Sequence, residues 1–289
     1  MDIAVLADIH GNYVALDRCI CYAIERGIDT FLFLGDYIGE LPYPQKCMTM
    51  LYDMKKNYNC TFIRGNKEEY WIDYRNGKNV GYEWEDYNST TGMLLYAYQH
   101  LAHEDINFFE SLPIRQTIEI EKHNPCLICH GSPYKVNEKM AQNSPRTYEI
   151  MEEFPYELIL CGHTHKQYKI IHNNKIVINP GSVGMPIFSA GKTQFLILHS
   201  MEHEWKEEFI SLDYDVEIII KDMLRENLDI HAPYWNYVTK RLLIEGRISH
   251  GTVLNKAMEL CRQTTGICVW PHIPEIYWEL AARELYGIS

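Results

Sequence analysis

Five short apolar runs of this chain each end on an acid, an amide or an imidazole, and that repetition limits the fold more than any other feature. Ile3–Ala7 runs into Asp8-Ile9-His10, Phe31–Leu34 into Gly35-Asp36, and Phe62-Ile63 into Arg64-Gly65-Asn66. Leu127–Cys129 runs into His130-Gly131, and Ile159–Cys161 into Gly162-His163-Thr164-His165. Brief apolar runs bounded by turn residues read as buried strands. Open α/β sheets bind ligands beyond the carboxyl ends of their strands. A fold that honours all five runs therefore delivers these polar side chains to one edge.

The intervening segments fit that reading. Asn12–Arg26 carries apolar residues at helical spacing and stops at Gly27. Lys46–Lys56 is a second helical stretch, so the first 65 residues alternate as βαβαβ. From 68 to 112 strand signals vanish and aromatics accumulate, among them Tyr70, Trp71, Tyr74, Tyr82, Trp84, Tyr87, Tyr96 and Tyr98. This is read as an insertion of two or three helices laid over the sheet, its aromatics serving packing rather than base stacking. Strands return at Gln116–Glu121, Cys126–Cys129, Leu158–Cys161, Lys175–Ile178, Thr193–Leu198 and Phe209–Leu212, with a hairpin turn at His172-Asn173-Asn174-Lys175. The expected organisation is one domain over 1–213 and a helical C-terminal subdomain over 214–289. Its helices are expected at Val216–Glu226, Tyr234–Ile244, Gly251–Cys261 and Ile276–Leu285, where they could cover the site or form a homo-oligomer surface.

Composition removes several alternatives. A formal charge of −12 argues against a general nucleic-acid binder, which needs clustered Lys and Arg. It leaves room for a small phosphorylated substrate, because bound cations would reverse the local field. No apolar stretch reaches the length that spans a bilayer, and Met1–Val5 lacks a signal-peptide pattern. A cytoplasmic enzyme without membrane attachment is the expectation. The nine cysteines include no second CxxC pair beside Cys126–Cys129, so they read as reduced thiols.

Carboxylate, amide and imidazole ligands together suit Mn, Fe, Zn or Ni. Two such cations side by side are a common device for activating water against phosphorus. The ordered series Asp-x-His, Gly-Asp, Gly-Asn, His, Gly-His-x-His resembles the calcineurin-like metallophosphoesterase superfamily over residues 1 to about 200. Gly35-Asp36-Tyr37-Ile38-Gly39 and Asn179–Pro186 resemble a bacterial branch of small phosphodiesterases and an asymmetric diadenosine tetraphosphate hydrolase, which also has a helical C-terminal addition. The resemblance implies an α/β fold of two mixed β-sheets packed face to face and flanked by helices, a four-layer sandwich. It implies that Asp8, His10 and His165 hold one divalent metal, that Asn66, His130 and His163 hold a second, and that Asp36 bridges them. A hydroxide activated by both metals would then hydrolyse a phosphodiester or phosphoanhydride bond, with a dinucleoside polyphosphate such as diadenosine tetraphosphate as the first specific candidate. A general phosphodiesterase or phosphomonoesterase is the second, and a non-catalytic binding module on the same fold is the reading from another class.

The departure is Lys67, where the superfamily often has a histidine that assists the leaving group. A lysine donates protons poorly near neutral pH, so the sequence favours substrates whose leaving group needs no proton. Asn12 and Arg64 are further candidates for phosphate contact, the first also for helix capping and the second also for ion pairing. Ser182 reads as a wall of the site. His231, His250 and His272 show no ligand spacing and read as structural or exposed.

Overall fold

In the computed structural model, residues 1–78, 83–119, 124–201 and 205–287 are described. The chain opens with β1 (Asp2–Leu6), α1 (Tyr13–Glu25), β2 (Thr30–Phe33), α2 (Pro44–Asn57) and β3 (Asn59–Phe62). Three helices follow, α3 (Asn66–Arg75), α4 (Gly92–His100) and α5 (His103–Ser111). Next come β4 (Arg115–Ile118), β5 (Cys126–Cys129), α6 (Pro145–Glu153), β6 (Leu158–Leu160), β7 (Gln167–His172), β8 (Lys175–Pro180), β9 (Lys192–Ser200) and β10 (Trp205–Asp213). The last five are α7 (Val216–Arg225), α8 (Leu228–His231), α9 (Pro233–Glu245), α10 (His250–Thr265) and α11 (Glu275–Tyr286).

The strands form two five-stranded mixed sheets, ordered β10-β9-β1-β2-β3 and β4-β5-β6-β8-β7. In each, a parallel trio (β1-β2-β3 and β5-β6-β8) is flanked by antiparallel strands. Strand alternation shows why both sheets read as continuously apolar. Ile3, Val5 and Ala7 face one buried cluster, shared with Leu32, Leu34, Ile128 and Leu160 of both sheets. Ala4 and Leu6 face another, packed on Leu16, Cys19 and Met48 of α1 and α2. Leu127, Cys129 and Ile159 meet Ile150 and Met151 of α6 on the outer side of the second sheet. Strands buried on both faces lose the apolar–polar alternation, and the result is the expected helix–sheet–sheet–helix stack.

Among the described residues the expected strands are present, several with shifted ends. Phe209–Leu212 lies within the nine-residue β10, because the long β9 hairpin partner gives it backbone bonds well beyond its apolar part. The strand read at Gln116–Glu121 is seen as β4, and Glu121 lies outside the described residues, as does Tyr82 of the aromatic series. α3 starts two residues earlier than the insertion was expected to, on Asn66 itself. The short α8 carried no periodic signal. The aromatics of this region do pack: Trp71 and Phe109 are in the core under the first sheet, and Tyr74 stacks on Trp84 with centroids 4.0 Å apart.

The C-terminal helices make two cores. Met223, Leu228, Leu242 and Leu243 join Met93 and Tyr96 of α4 and Leu41 and Met185 of the sheet-edge loops. Val238, Val253, Ala257 and Trp278 form the second, among α9, α10 and α11. All nine cysteines are free thiols. Among the described residues no helix is long and apolar enough to cross a membrane.

Candidate metal centre

The five strand ends converge. Asp8 Oδ1 lies 3.9 Å from His10 Nε2, 3.5 Å from His165 Nε2 and 3.8 Å from His130 Nε2. Asp36 Oδ2 lies 3.7 Å from His10 Nε2 and 3.4 Å from His130 Nε2. Asn66 Oδ1 is 3.2 Å from His130 Nε2. Asp8, His10 and His165 form one tight group able to hold a cation, and Asp8, Asp36 and His130 form another. His163 stands a step out, its ring 5.4 Å from that of His130, while its backbone N–H donates to both oxygens of Asp8.

The backbone is bent to achieve this. Asp8, His10, Asp36, His163 and His165 all have φ between 53° and 67°. Non-glycine residues avoid this left-handed region, and such strain concentrates at functional sites. Two glycines permit the crowding: a Cβ on Gly35 would run into the Gly65 backbone, and one on Gly65 into the Asp36 carboxylate.

Outer hydrogen bonds aim the imidazoles. His10 Nδ1 is 2.7 Å from Glu40 Oε2, His130 Nδ1 is 2.6 Å from the Leu34 carbonyl, and His165 Nδ1 is 2.9 Å from the Met185 carbonyl. Each partner is an acceptor, so each Nδ1 carries hydrogen and each Nε2 is aimed into the cluster, the orientation typical of metal-binding histidines. Two of these atoms, Nε2 of His10 and of His165, are only 3.0 Å apart. Two inward lone pairs at that spacing need a proton or a cation between them.

Electrostatics within the cluster follow from burial and proximity. Burial pushes the Asp8 carboxyl up to about 7, with Asp36 adding to the shift and His130 and His10 opposing it. Burial works against the charge on Asp36 too, yet His130 and His10 outweigh it and hold that carboxyl far below its ordinary range. His130 rises to about 10: burial opposes its charge, but Asp36 and Asp8 prevail. Burial, then His130, lowers His163 to about 4. Burial, then His10, takes His165 well below its ordinary value.

Two supporting carboxylates escaped the sequence reading. Glu68, at the start of α3, is fully buried and accepts from the backbone N–H of Asp36 (2.8 Å), Tyr37 (2.9 Å) and Gly65 (2.7 Å). Its place three residues after Gly65 is a capping signal. Glu40, 2 % exposed, joins His10 on one oxygen and pairs with the Lys67 ammonium on the other. Burial disfavours both charges, but each holds the other: Glu40 falls well below the carboxylate range and Lys67 rises above its own. Lys67 is thus a held ammonium that also lies 5.8 Å from the Trp235 ring centroid.

The weaker candidates sort themselves. Asn12 caps α1 through Oδ1 to the Ala15 N–H, and its amide donates to the Gly184 carbonyl and to Tyr214, so the phosphate contact expected of it has no donor left. Arg64 takes the ion-pair alternative, with Nε 3.6 Å from Glu69 Oε1. Neither lines the cavity beside the cluster. Ser182 forms the wall as read, donating to the Asp8 carbonyl and accepting from the Met185 N–H. Of the two readings of His250, structural or exposed, it takes the structural one: it is buried and lies 2.8 Å from Thr239 Oγ1 through Nε2, and it also lines the cavity.

That cavity has a volume of about 590 Å³ and includes His10, Asp36, Asn66, His163 and His165 in its lining. Lys139, Gln142, Thr164 and Lys166 make a polar wall, and Met93, Leu94, Trp235, Leu242, Leu254 and Trp270 an apolar one.

Comparison with known proteins agrees with the fold. An uncharacterized protein of Methanocaldococcus jannaschii, MJ0912, is 28% identical over 254 residues, which is 78% of this chain and 94% of that one. The crystal structure of hypothetical protein PH1004 from Pyrococcus horikoshii superposes with a TM-score of 0.70 at 24% identity, over 86% of this chain and 99% of that one. A metallophosphoesterase from Sphaerobacter thermophilus superposes with a TM-score of 0.62 at 21% identity, over 81% and 99%. Residues 1–203, the segment of this chain that holds all five strand ends, match the calcineurin-like phosphoesterase superfamily domain, and the chain belongs to that superfamily.

Proposed function

We propose that this protein is a dinuclear metal-dependent phosphohydrolase acting on phosphodiester or phosphoanhydride bonds. The observation that carries the proposal is the pair of Nε2 atoms of His10 and His165 at 3.0 Å, each ring pinned by an acceptor on Nδ1. The donor set fits divalent cations: Asp8, His10 and His165 would hold one, Asn66, His130 and His163 the other, with Asp36 between. Bound there, Mn, Fe, Zn or Ni would supply Lewis-acid charge to the phosphoryl oxygens and acidify a water.

The chain's own residues determine the rest. The positive start of α3, with the Lys67 N–H on Asp36 Oδ1 at 2.8 Å, fixes the Asp36 carboxylate. Glu40 fixes the His10 tautomer and neutralises Lys67. Lys67 can then oppose charge on a nearby oxygen but is a poor proton donor, so a leaving group has to depart as a stable anion. Aryl esters and anhydrides meet that requirement; simple alkyl esters do not. A dinucleoside polyphosphate such as diadenosine tetraphosphate also meets it. Among the lining residues, however, the only cationic side chains are Lys67, Lys139 and Lys166, the first already paired. Metals and two lysines suit one phosphoryl group carrying an organic substituent better than a four-phosphate chain.

Metal analysis and a substrate panel in Mn test this. We expect two transition-metal equivalents per chain, and hydrolysis of bis(p-nitrophenyl) phosphate faster than that of an alkyl phosphomonoester, with ATP and diadenosine tetraphosphate as the polyphosphate arms. A metal-free, inactive protein would instead support a binding module on this fold.

A further inference from the structure

We infer that the helical C-terminal segment builds a subsite for a flat aromatic group carried by the substrate's phosphate, with Trp235 as its principal wall. This rests on the phosphohydrolase reading above and adds the substrate class.

The cavity beside the ligand cluster, at about 590 Å³, lies in the size range that encloses a whole small molecule. A phosphoryl group on the ligand cluster would fill a small part of it. The remainder is bounded by residues distant in sequence from the motifs, Trp235 on α9, His250 and Leu254 on α10 and Trp270 after it, and by Tyr70, one turn after Asn66 on α3. Trp235 is half-buried, its ring 4.4 Å from that of His250 and edge-on to Trp278 at 5.5 Å. These contacts hold the indole while part of it faces the cavity. Tyr70 and Trp270 stack at 5.9 Å and close another side.

Position relative to the metals gives the second line of support. Lys67 Nζ lies 5.8 Å from the Trp235 centroid and is paired with Glu40, which holds His10. Trp235, Lys67, His10 and His165 thus line one and the same cavity, so a ring carried by a phosphate on the ligand cluster would share that cavity with the indole. Aromatic walls favour offset-stacked or edge-on rings over aliphatic chains of equal area.

The test is calorimetric binding of phenylphosphonate and methylphosphonate to the Mn-loaded protein, with bis(p-nitrophenyl) phosphate hydrolysis measured alongside. Seating a phenyl ring removes on the order of 100 Å² of apolar surface from water, which corresponds to a phenyl-over-methyl preference of roughly 10- to 100-fold. Trp235→Ala should reduce that preference to near unity. Gly251→Leu gives the same outcome without loosening the fold. Gly251 lines the cavity in the first turn of α10, an added Cβ there meets only Ser249 Oγ at 3.8 Å, and leucine favours a helix more than glycine does. A wild-type preference near unity, or one unchanged in both variants, would overturn the subsite while hydrolysis stands. Failure of both phosphonates to bind, together with no hydrolysis, would overturn the phosphohydrolase reading and the subsite with it.

Discussion

Removing Glu40 should destabilise the fold, and removing Lys67 as well should restore most of the loss. Glu40 is 2 % exposed, the Lys67 side chain is 13 % exposed, and the carboxylate bonds to Lys67 and to His10 at once. Glu40→Ala leaves a buried ammonium without its counter-charge and the His10 Nδ1–H without its acceptor. Stranding one member of a buried ion pair costs about 3–5 kcal/mol. For a chain of this length that corresponds to a fall in melting temperature of about 6–10 °C, at roughly 2 °C per kcal/mol. Lys67→Met in the Glu40→Ala background removes the stranded charge and keeps a side chain of similar length, so it should recover about half or more of the loss. Glu40→Gln keeps an acceptor for His10 and should fall between the two. The assay is urea denaturation of all four proteins and of the Lys67→Met single variant, closed as a double-mutant cycle. Additive effects, or a Glu40→Ala protein as stable as wild type, would refute the pairing.

Three further outcomes are expected. Asp36→Asn should lower hydrolysis of every genuine substrate to background and reduce metal content, read by elemental analysis of the purified variant; a surviving rate would point to a contaminant. Lys67→His should raise the rate selectively for esters of basic alcohols, by up to about 10²-fold, and flatten the dependence of rate on leaving-group pKa; a uniform change across a series of substituted aryl and alkyl esters would count against the proton-donor account. His250 gives a pH effect. Burial, with Lys67 and His10 adding and Glu40 opposing, lowers it from its ordinary 6.5 to about 4. Between those values the unfolded chain binds a proton that the folded one does not, so stability falls as pH drops from 6.5 towards 4, by up to about 3 kcal/mol. His250→Gln should remove that part of the pH dependence of the urea midpoint, and an unaltered profile would show the residue to be inert.

Motif and fold were legible because they obey local rules. Ile3–Ala7 is apolar at every position, since both faces of its strand are covered, and Asp8 and His10 follow where the strand must end. The supporting groups obey no local rule. Glu40 sits in a turn-rich loop and gains its role only when the loop folds back on His10, thirty residues earlier, and meets Lys67 from α3. Trp235 lies on an amphipathic helix whose periodicity assigns it to a core; only packing on α10 leaves part of its ring on the cavity. His250 lacked any spacing signal because it is a neighbour of the site in space alone. Glu68 was the exception. Its position three residues after Gly65, at the head of a helix, is a signal that capping rules recognise.

The Glu40–Lys67 pair and the aromatic wall bear on substrate choice by separate routes that meet at the same compounds. The pair withholds a proton, which confines fast turnover to leaving groups that are stable as anions. The wall formed by Trp235, Tyr70 and Trp270 selects for a flat ring close to phosphorus. Aryl phosphodiesters satisfy both conditions with one group, because the ring that stacks also lowers the pKa of the departing oxygen. A nucleoside linked through its ribose satisfies neither, since its ring lies several bonds from phosphorus and its alkoxide is basic. Swapping the two features separately should therefore split the selectivity. Lys67→His would relax the demand for acidity and keep the preference for rings, whereas Gly251→Leu would do the reverse. If the two variants shifted both preferences together, the cavity would be acting as one undivided site, and the leaving-group and ring preferences would share a single cause.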